Sequence, residues 1–295
     1  MTPTLVRQHR SHAESALRVN PCARARDWSE IQERMLVPLY EAVYERLEVG
    51  PATRLLGLGC GTGLALLMAA ARGASVTGVD SCPERLALAR ERLLPDAACD
   101  GTRARTTAGT RTTAGTRLVD GAPGDVAAVA ETAAYTLVTV FEPVGCLAGD
   151  SEGLDGQLAA ALRLAGHGAA VVLTGWGPPE RCATSSVLRV ATKLAEPMRS
   201  ARSWRPARRD DLEEVAQRAG LKPDGSGRVA CPFGYAGLGS AVRGLLSTGV
   251  FDAAIAATDA KQVDKELAEA LHPYRREDGT VWMPNVFRYL VARVP

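Results

Sequence analysis

The sequence has 295 residues, 46% of them hydrophobic and 23% charged, with a net charge of +2 at neutral pH. A chain of that length can bury a core without disulfide staples, and the balance is ordinary for a globular fold. A charge so near zero, with basic residues scattered along helices rather than gathered in a tract, argues against nucleic acid as the main partner.

Seven cysteines, Cys22, Cys60, Cys82, Cys99, Cys146, Cys182 and Cys231, are odd in number and never in C-x-x-C spacing. That argues against a disulfide framework and a zinc site, so no metal is expected. The first ten residues are charged and lack an apolar run, and no stretch approaches the roughly 20 apolar residues that span a bilayer. The expectation is a cytoplasmic chain with no membrane partner.

In chain order, residues 1–26 are polar and basic and predict a loose segment or a short helix. From Trp28, apolar residues recur at Ile31, Met35, Leu39 and Val43, which is helical spacing. Pro38 interrupts it and predicts the start of a second helix. A first strand follows at 53–58, then a glycine turn, then a helix with Leu64, Leu67, Met68 and Ala71 on one face. The second strand ends at Asp80. Ser81 with Glu84 three residues on reads as a capping box for the next helix, with Pro83 in its first turn.

Residues 99–117 contain a six-residue duplication: Thr106-Thr107-Ala108-Gly109-Thr110-Arg111 recurs at once as Thr112-Thr113-Ala114-Gly115-Thr116-Arg117. It is too short for a solenoid repeat and has no apolar period, so a mobile excursion is expected. Strands follow at 117–120, 137–141 and 169–174, with a helix at 154–165. Helices at 183–196 and 210–219 precede a sixth strand near 228–231. Helices around 236–248 and 252–271 then interrupt the series before a last strand at 286–293.

The glycine turn reads Leu55-Leu56-Gly57-Leu58-Gly59-Cys60-Gly61-Thr62-Gly63, and the strand after its helix reads Val76-Thr77-Gly78-Val79-Asp80. The dinucleotide fingerprint G-x-G-x-x-G fails here, because its third glycine would fall on Leu64 or on Thr62. The spacing is G-x-G-x-G. Glycine permits positive φ and removes the Cβ that would hold a ligand off the main chain. A carboxylate at the end of the second strand can accept from both hydroxyls of a ribose. Nucleoside binding is the favoured reading, and a purely structural tight turn is the alternative.

These residues resemble the class I S-adenosylmethionine-dependent methyltransferases, and within them the small-molecule enzymes of actinomycetes. Further landmarks of the resemblance are Asp27-Trp28, Gln32-Glu33-Arg34-Met35, Trp176-Gly177-Pro178-Pro179-Glu180, Asp278-Gly279 and Asn285-Val286-Phe287-Arg288-Tyr289. It spans about residues 27–295. Two positions depart from the family pattern: Gly57 stands where an acid is usual, and the fourth strand opens Tyr135-Thr136 rather than with an aromatic residue and an acid.

The resemblance implies an α/β fold with a Rossmann-like seven-stranded sheet. That sheet is mostly parallel, with its last strand antiparallel, and is flanked by helices, with a helical cap from the N-terminus and late insertions. The expected divisions are a cap segment at 1–49, a cofactor-binding core at 50–232 with the mobile loop 99–117, a cap insertion at 233–272, and last strands at 273–295. The implied cofactor is S-adenosyl-L-methionine. Its expected contacts are Gly57, Gly59, Cys60, Gly61, Gly63, Asp80, Ser81, Asp120, Gly121 and Glu142. Cys60 is expected as filler rather than nucleophile, and Asp120 reads equally as a turn residue before Gly121.

Ligands in open α/β sheets bind beyond the carboxyl ends of the strands. Glu142, after the fourth strand, is a catalytic or ligand-contacting candidate, or a solvated loop acid. Trp176, before a Gly-Pro-Pro turn, is an aromatic wall for a planar acceptor or a core residue. Of the four histidines, His272 is the one placed to act as a base; His167 falls at the wrong end of the sheet, and His9 and His12 lie in the polar leader. Trp28, Gln32 and Met35 on the N-terminal helix are expected to join Trp176 and the late helices around an apolar pocket. The alternative is that those helices cover the outer sheet face or form a homodimer contact.

The favoured function is methyl transfer to a small organic acceptor, in bacterial secondary metabolism. A protein that keeps the fold but catalyses a cyclisation or rearrangement, or only binds a ligand, is the alternative. A nicotinamide-dependent oxidoreductase is disfavoured by the glycine spacing.

Overall fold

The computed structural model describes residues 20–94, 111–113, 115–127, 134–146, 149, 151–195 and 205–295. Their strands are β1 (Arg54–Leu58), β2 (Ser75–Asp80), β3 (Arg111–Thr113), β4 (Thr116–Asp120), β5 (Tyr135–Val144), β6 (Ala165–Trp176), β7 (Lys222–Ala230), β8 (Phe233–Tyr235), β9 (Val281–Met283) and β10 (Val286–Arg293). The helices between β1 and β6 are α3 (Leu64–Ala70), α4 (Pro83–Leu93), α5 (Pro123–Ala127) and α6 (Leu154–Leu162), and they follow α1 (Pro21–Asp27) and α2 (Val37–Arg46). After β6 come α7 (Thr184–Ala195), α8 (Asp211–Arg218), α9 (Leu238–Ser247), α10 (Asp252–Ala257) and α11 (Ala260–Leu271).

The main sheet runs β3-β4-β2-β1-β5-β6-β10-β7. Strands β4, β2, β1, β5 and β6 are mutually parallel, and β10 lies antiparallel between β6 and β7. That is the seven-stranded, mostly parallel Rossmann-like sheet. Strand β3 adds an eighth, antiparallel edge through a hairpin with β4 that pairs Arg111 with Leu118 and Thr113 with Thr116. Part of the duplication therefore forms a strand where a loop was expected; residues 99–110 and 114 lie outside the described residues. A separate ribbon pairs β8 with β9.

Strand alternation divides the core in two. Leu55, Val76, Leu137 and Val172 face α2, α3, α4 and the late helices. Leu56, Val79, Val138 and Val171 face α5, α6 and α8. The chain order reverses direction between β1 and β5, and ligands bind at such a switch point. Among the described residues, no helix is long and apolar enough to cross a membrane.

Four local features differ from expectation. The helix expected at Trp28 begins as a π-helical turn, Trp28–Gln32, followed by a 3-10 turn, Glu33–Leu36, and becomes α-helical only at α2, with Pro38 in its first turn. Ser81 does not cap α4. Cys82 takes the N-cap position, and its backbone N–H donates to Asp80 Oδ1 at 2.8 Å.

The buried residues of α3 are Leu66 and Ala69, while Leu67 is exposed. The cause lies in the strands: a Cβ on Gly57 would sit 3.0 Å, and one on Gly78 2.4 Å, from Leu66 methyl groups. Two glycines hollow the sheet, and Leu66 fills the hollow. Finally, the late helical stretch after Phe251 is split into α10 and α11 around Thr258 and the capping Asp259, whose side chain accepts from the Gln262 N–H.

Candidate functional site

The turn after β1 is set by its glycines. Gly59 and Gly61 hold φ of +59° and +58°, which side-chain-bearing residues rarely adopt. Gly61 N–H donates to Asp80 Oδ2 at 2.8 Å, and Cys60 N–H donates to the Val79 carbonyl at 3.0 Å. Asp80 is buried, and each of its oxygens already accepts one backbone N–H. A carboxylate has about four lone-pair sites, so capacity for a ligand hydroxyl remains.

Above the turn sits a carboxylate that the sequence offers only within the Gln32-Glu33-Arg34-Met35 landmark, with no site role. Glu33 is 2% exposed. It accepts from the Thr62 hydroxyl, from Arg92 Nη1 at 2.8 Å and from Leu64 N–H at 3.4 Å. Arg92 also donates to the Thr62 carbonyl and to Ser29 Oγ, each at 2.8 Å. This network ties the N-terminal turns to the glycine turn.

Trp28 lies over the same turn. A Cβ on Gly61 would stand 3.3 Å from the Trp28 Nε1 and 3.4 Å from Glu33 Oε1. The guanidinium of Arg85 stacks on the indole at 4.6 Å. The indole Nε1 is buried without a hydrogen-bond partner among the described residues. Buried donors are rarely left unpaired, and a bound ligand is a recognised reason for an exception.

Two spaces open here. The first is a groove of about 50 Å³ lined by Gly57, Gly59, Cys60 and Gly61 from the turn, Glu33, Arg85 and Phe141. The second is a cavity of about 410 Å³ among Gln32, Trp176, Leu188, Phe233, Leu245 and Phe287. Trp28, Leu36, Glu142 and Thr248 line both. Glu142 stands on β5 three residues beyond Thr139, which is level with Gly57. Its Oε2 would lie 3.6 Å from a Cβ on Gly59.

Trp176, at the end of β6, packs tilted against Phe287 with ring centroids 4.6 Å apart and meets Phe233 edge-on at 6.1 Å. Tyr235 donates its hydroxyl to Gln32 Oε1 at 3.0 Å, which fixes the amide that faces the cavity. Phe233 and Phe287 come from sequence-distant strands, and only the tertiary fold reveals them as lining residues.

The structure thus brings together Trp28, Gln32, Trp176 and Glu142 beside Gly57, Gly59, Cys60 and Gly61. Met35 is buried in the core and lines neither space. Gly63 adjoins the turn as the residue before α3, with its Cβ position against Ala89 and Leu93. Asp120 and Ser81 are exposed, and Gly121 N–H donates to the Asp80 carbonyl at 3.1 Å. Those three lie at strand ends beside Asp80 without lining either space. His272 is exposed where α11 ends, and it lines neither.

Burial, followed by the nearby Asp80 and Glu33 carboxylates, raises the Cys60 thiol well above its usual range. That shift favours the neutral thiol over the thiolate. Burial likewise pushes Cys231 up to about 12.

The two departures from the family pattern have local explanations. A side chain at Gly57 would press on Leu66. Thr136 accepts from the Arg54 N–H at 3.0 Å, where β1 begins, at the end of the strand away from the glycine turn.

Residues 55–113 match a family model for a methyltransferase domain. No curated protein matches the chain. Among solved structures, the chain is similar to a Bacillus halodurans protein assigned to the methyltransferases, at 13% identity and a TM-score of 0.49, covering 87% of this chain and 98% of that one. It is similar to the [4+2]-cyclase SpnF at 16% identity and a TM-score of 0.48, covering 87% and 80%. A third is geranyl diphosphate C-methyltransferase from Streptomyces coelicolor, at 14% identity and 0.46, covering 89% and 80%.

Proposed function

We propose that the chain transfers a methyl group from S-adenosyl-L-methionine to a small organic acceptor, in bacterial secondary metabolism. The observation behind this reading is the junction of two spaces, one at a glycine turn and one among aromatic side chains, at Trp28, Leu36, Glu142 and Thr248. The residues suit the cofactor. A ligand can lie against the main chain where Gly59 and Gly61 leave out a Cβ. Asp80 has lone pairs left for ribose hydroxyls, and the Trp28 indole offers an unpaired donor. When bound, the cofactor supplies a methyl group already activated on a sulfonium sulfur.

The remaining work belongs to the chain. Carboxylates at the groove come from Glu33 and Glu142 rather than from position 57; Glu33 is paired with Arg92, so Glu142 is the carboxylate left to face the positive sulfonium. Trp28, Trp176, Phe233 and Phe287 wall the acceptor space and exclude water, which strengthens electrostatic interactions inside it. Holding the acceptor atom in line with the methyl group supplies much of the rate in such a reaction, so a dedicated base is not required. His272 has no part in this scheme. Glu142, at the junction, orients the acceptor.

Calorimetric titration with S-adenosylmethionine, S-adenosylhomocysteine and NADH tests the reading. The first two are expected to bind and NADH to leave the heat signal flat. Binding of NADH without S-adenosylhomocysteine would overturn it.

A further inference from the structure

The larger cavity has a charge pattern that methyl transfer by itself does not require. Its charged lining residues are Glu142 and Asp252, and no Lys, Arg or His lines it among the described residues. Asp252 is already paired: Arg24 Nη2 donates to its Oδ1 at 2.5 Å. Glu142 has no hydrogen-bond or ion-pair partner among the described residues.

The aromatic part of the wall adds to the same sign. Trp176, Phe287 and Phe233 form one cluster, with ring centroids 4.6 to 6.1 Å apart. Aromatic faces carry negative electrostatic potential, which attracts a cation and repels an anion. A second observation points to a ligand at this junction: Trp28, which lines both the cavity and the groove, carries a buried indole N–H with no partner among the described residues. Gln32, its carbonyl oxygen engaged by Tyr235, is left to present its amide N–H groups.

We propose that the cavity takes a flat, apolar molecule carrying a basic nitrogen, bound as its cation. The ring system packs on Trp176, Phe233 and Phe287, and the ammonium group pairs with Glu142. A carboxylate- or phosphate-bearing acceptor would have to desolvate its charge beside Glu142, where the Trp28 and Gln32 N–H groups could hydrogen-bond it but, among the described residues, no lysine, arginine or histidine lines the cavity to neutralise it. The inference rests on the methyl-transfer reading only in naming this space as the acceptor site.

Three probes of one shape test it: 2-naphthylmethylamine, 2-naphthalenemethanol and 2-naphthoate. Each is titrated calorimetrically into the full chain loaded with S-adenosylhomocysteine. The amine is expected to bind at least about tenfold tighter than the carboxylate, with the alcohol between them. Glu142→Gln, a near-isosteric change at an exposed position, is expected to abolish the amine's advantage while circular dichroism stays unchanged. Trp176→Ala is expected to weaken all three probes.

Naphthoate binding as tightly as the amine, an amine preference that survives Glu142→Gln, or binding by none of the probes overturns the proposal. Loading is measured first. If S-adenosylhomocysteine itself does not bind, the methyl-transfer reading fails, and the same titrations on the unloaded chain still decide the charge preference. If it binds and the amine preference is missing, this inference alone fails.

Discussion

The groove at the glycine turn, about 50 Å³, has one wall in the bare backbone of Gly57, Gly59 and Gly61, whereas the neighbouring cavity, about 410 Å³, is walled by side chains from distant segments. The groove's shape follows from φ angles and from Asp80 holding the turn's own N–H groups. The cavity's shape follows from which residues happen to end β6, begin β10, and lie in the N-terminal turns and the late helices. The glycine wall of the groove is fixed by local rules, and the cavity by long-range packing. They should therefore respond differently to substitution, and five changes sharpen or break that contrast.

The largest effect is expected at the turn. Gly61→Val forces a β-branched residue into φ of +58° and sets its Cβ against the Trp28 indole and Glu33. Calorimetry is expected to show no S-adenosylhomocysteine binding. Normal binding by this variant would make the turn a structural feature only.

Glu33→Ala comes next. It leaves Arg92 without its carboxylate partner in a largely buried setting and frees the N-terminal turns from the glycine turn. Removing one member of such a pair costs about 3 kcal/mol. Chemical denaturation is the measurement, and a midpoint equal to that of the wild type would show that the network is dispensable.

Asp80→Ala tests a residue with two duties. It deprives Gly61 N–H and Cys82 N–H of their acceptor and removes the proposed ribose contact. Loss of a hydrogen bond to a charged group weakens S-adenosylmethionine binding by about 1.5–3 kcal/mol. Reduced stability with unchanged affinity would confine Asp80 to holding the turn.

Trp28→Phe keeps the ring between groove and cavity and deletes the unpaired N–H. If that donor serves a ligand, S-adenosylhomocysteine affinity falls by about 1 kcal/mol, roughly fivefold. Unchanged affinity together with a raised melting temperature would mean that the N–H was merely an unmet burial cost.

The contrast also explains what the sequence could reveal. The Leu55–Gly63 turn and the acid ending β2 sit in a continuous strand-turn-helix-strand pattern, where spacing alone dictates geometry. Trp28, Gln32 and Trp176 were legible as flanking segments, because apolar faces outside the sheet must be buried somewhere. Phe233, Phe287 and Thr248 were not. Nothing in their local pattern shows that β10 inserts between β6 and β7 with Phe287, or that β8 and the end of α9 bring Phe233 and Thr248 to the same wall. Met35 shows the reverse error: helical spacing placed it with Trp28, but the π-helical and 3-10 turns rotate it into the core. The face of α3 is legible only in part: Leu64 and Met68 pack against the core, but its buried leucine, Leu66, is chosen by glycines on two other elements.

The smallest effect is expected at the duplication, although part of it is a strand. Arg111, Thr112 and Thr113 form β3 and pair with β4, so deleting residues 106–111 at first sight removes a strand residue. The sequence repairs the loss. After the deletion, Arg105 stands directly before Thr112, and the junction again reads Arg-Thr-Thr ahead of Ala114-Gly115-Thr116-Arg117. The hairpin's sequence is preserved in full, and what disappears is six residues of the connection from α4. Closure entropy varies slowly with length, about 0.6 kcal/mol for each doubling, so shortening that connection by six residues changes little. Melting temperature and S-adenosylhomocysteine affinity are both expected to stay near wild type. Replacing Thr112 by Pro in the full-length chain is the control, since it withdraws a backbone donor and restricts φ within the strand itself. A deletion that costs more stability than the proline variant would mean that residues 106–111 are packed against the domain. The edge of the sheet would then depend on the first copy of the repeat as well as the second.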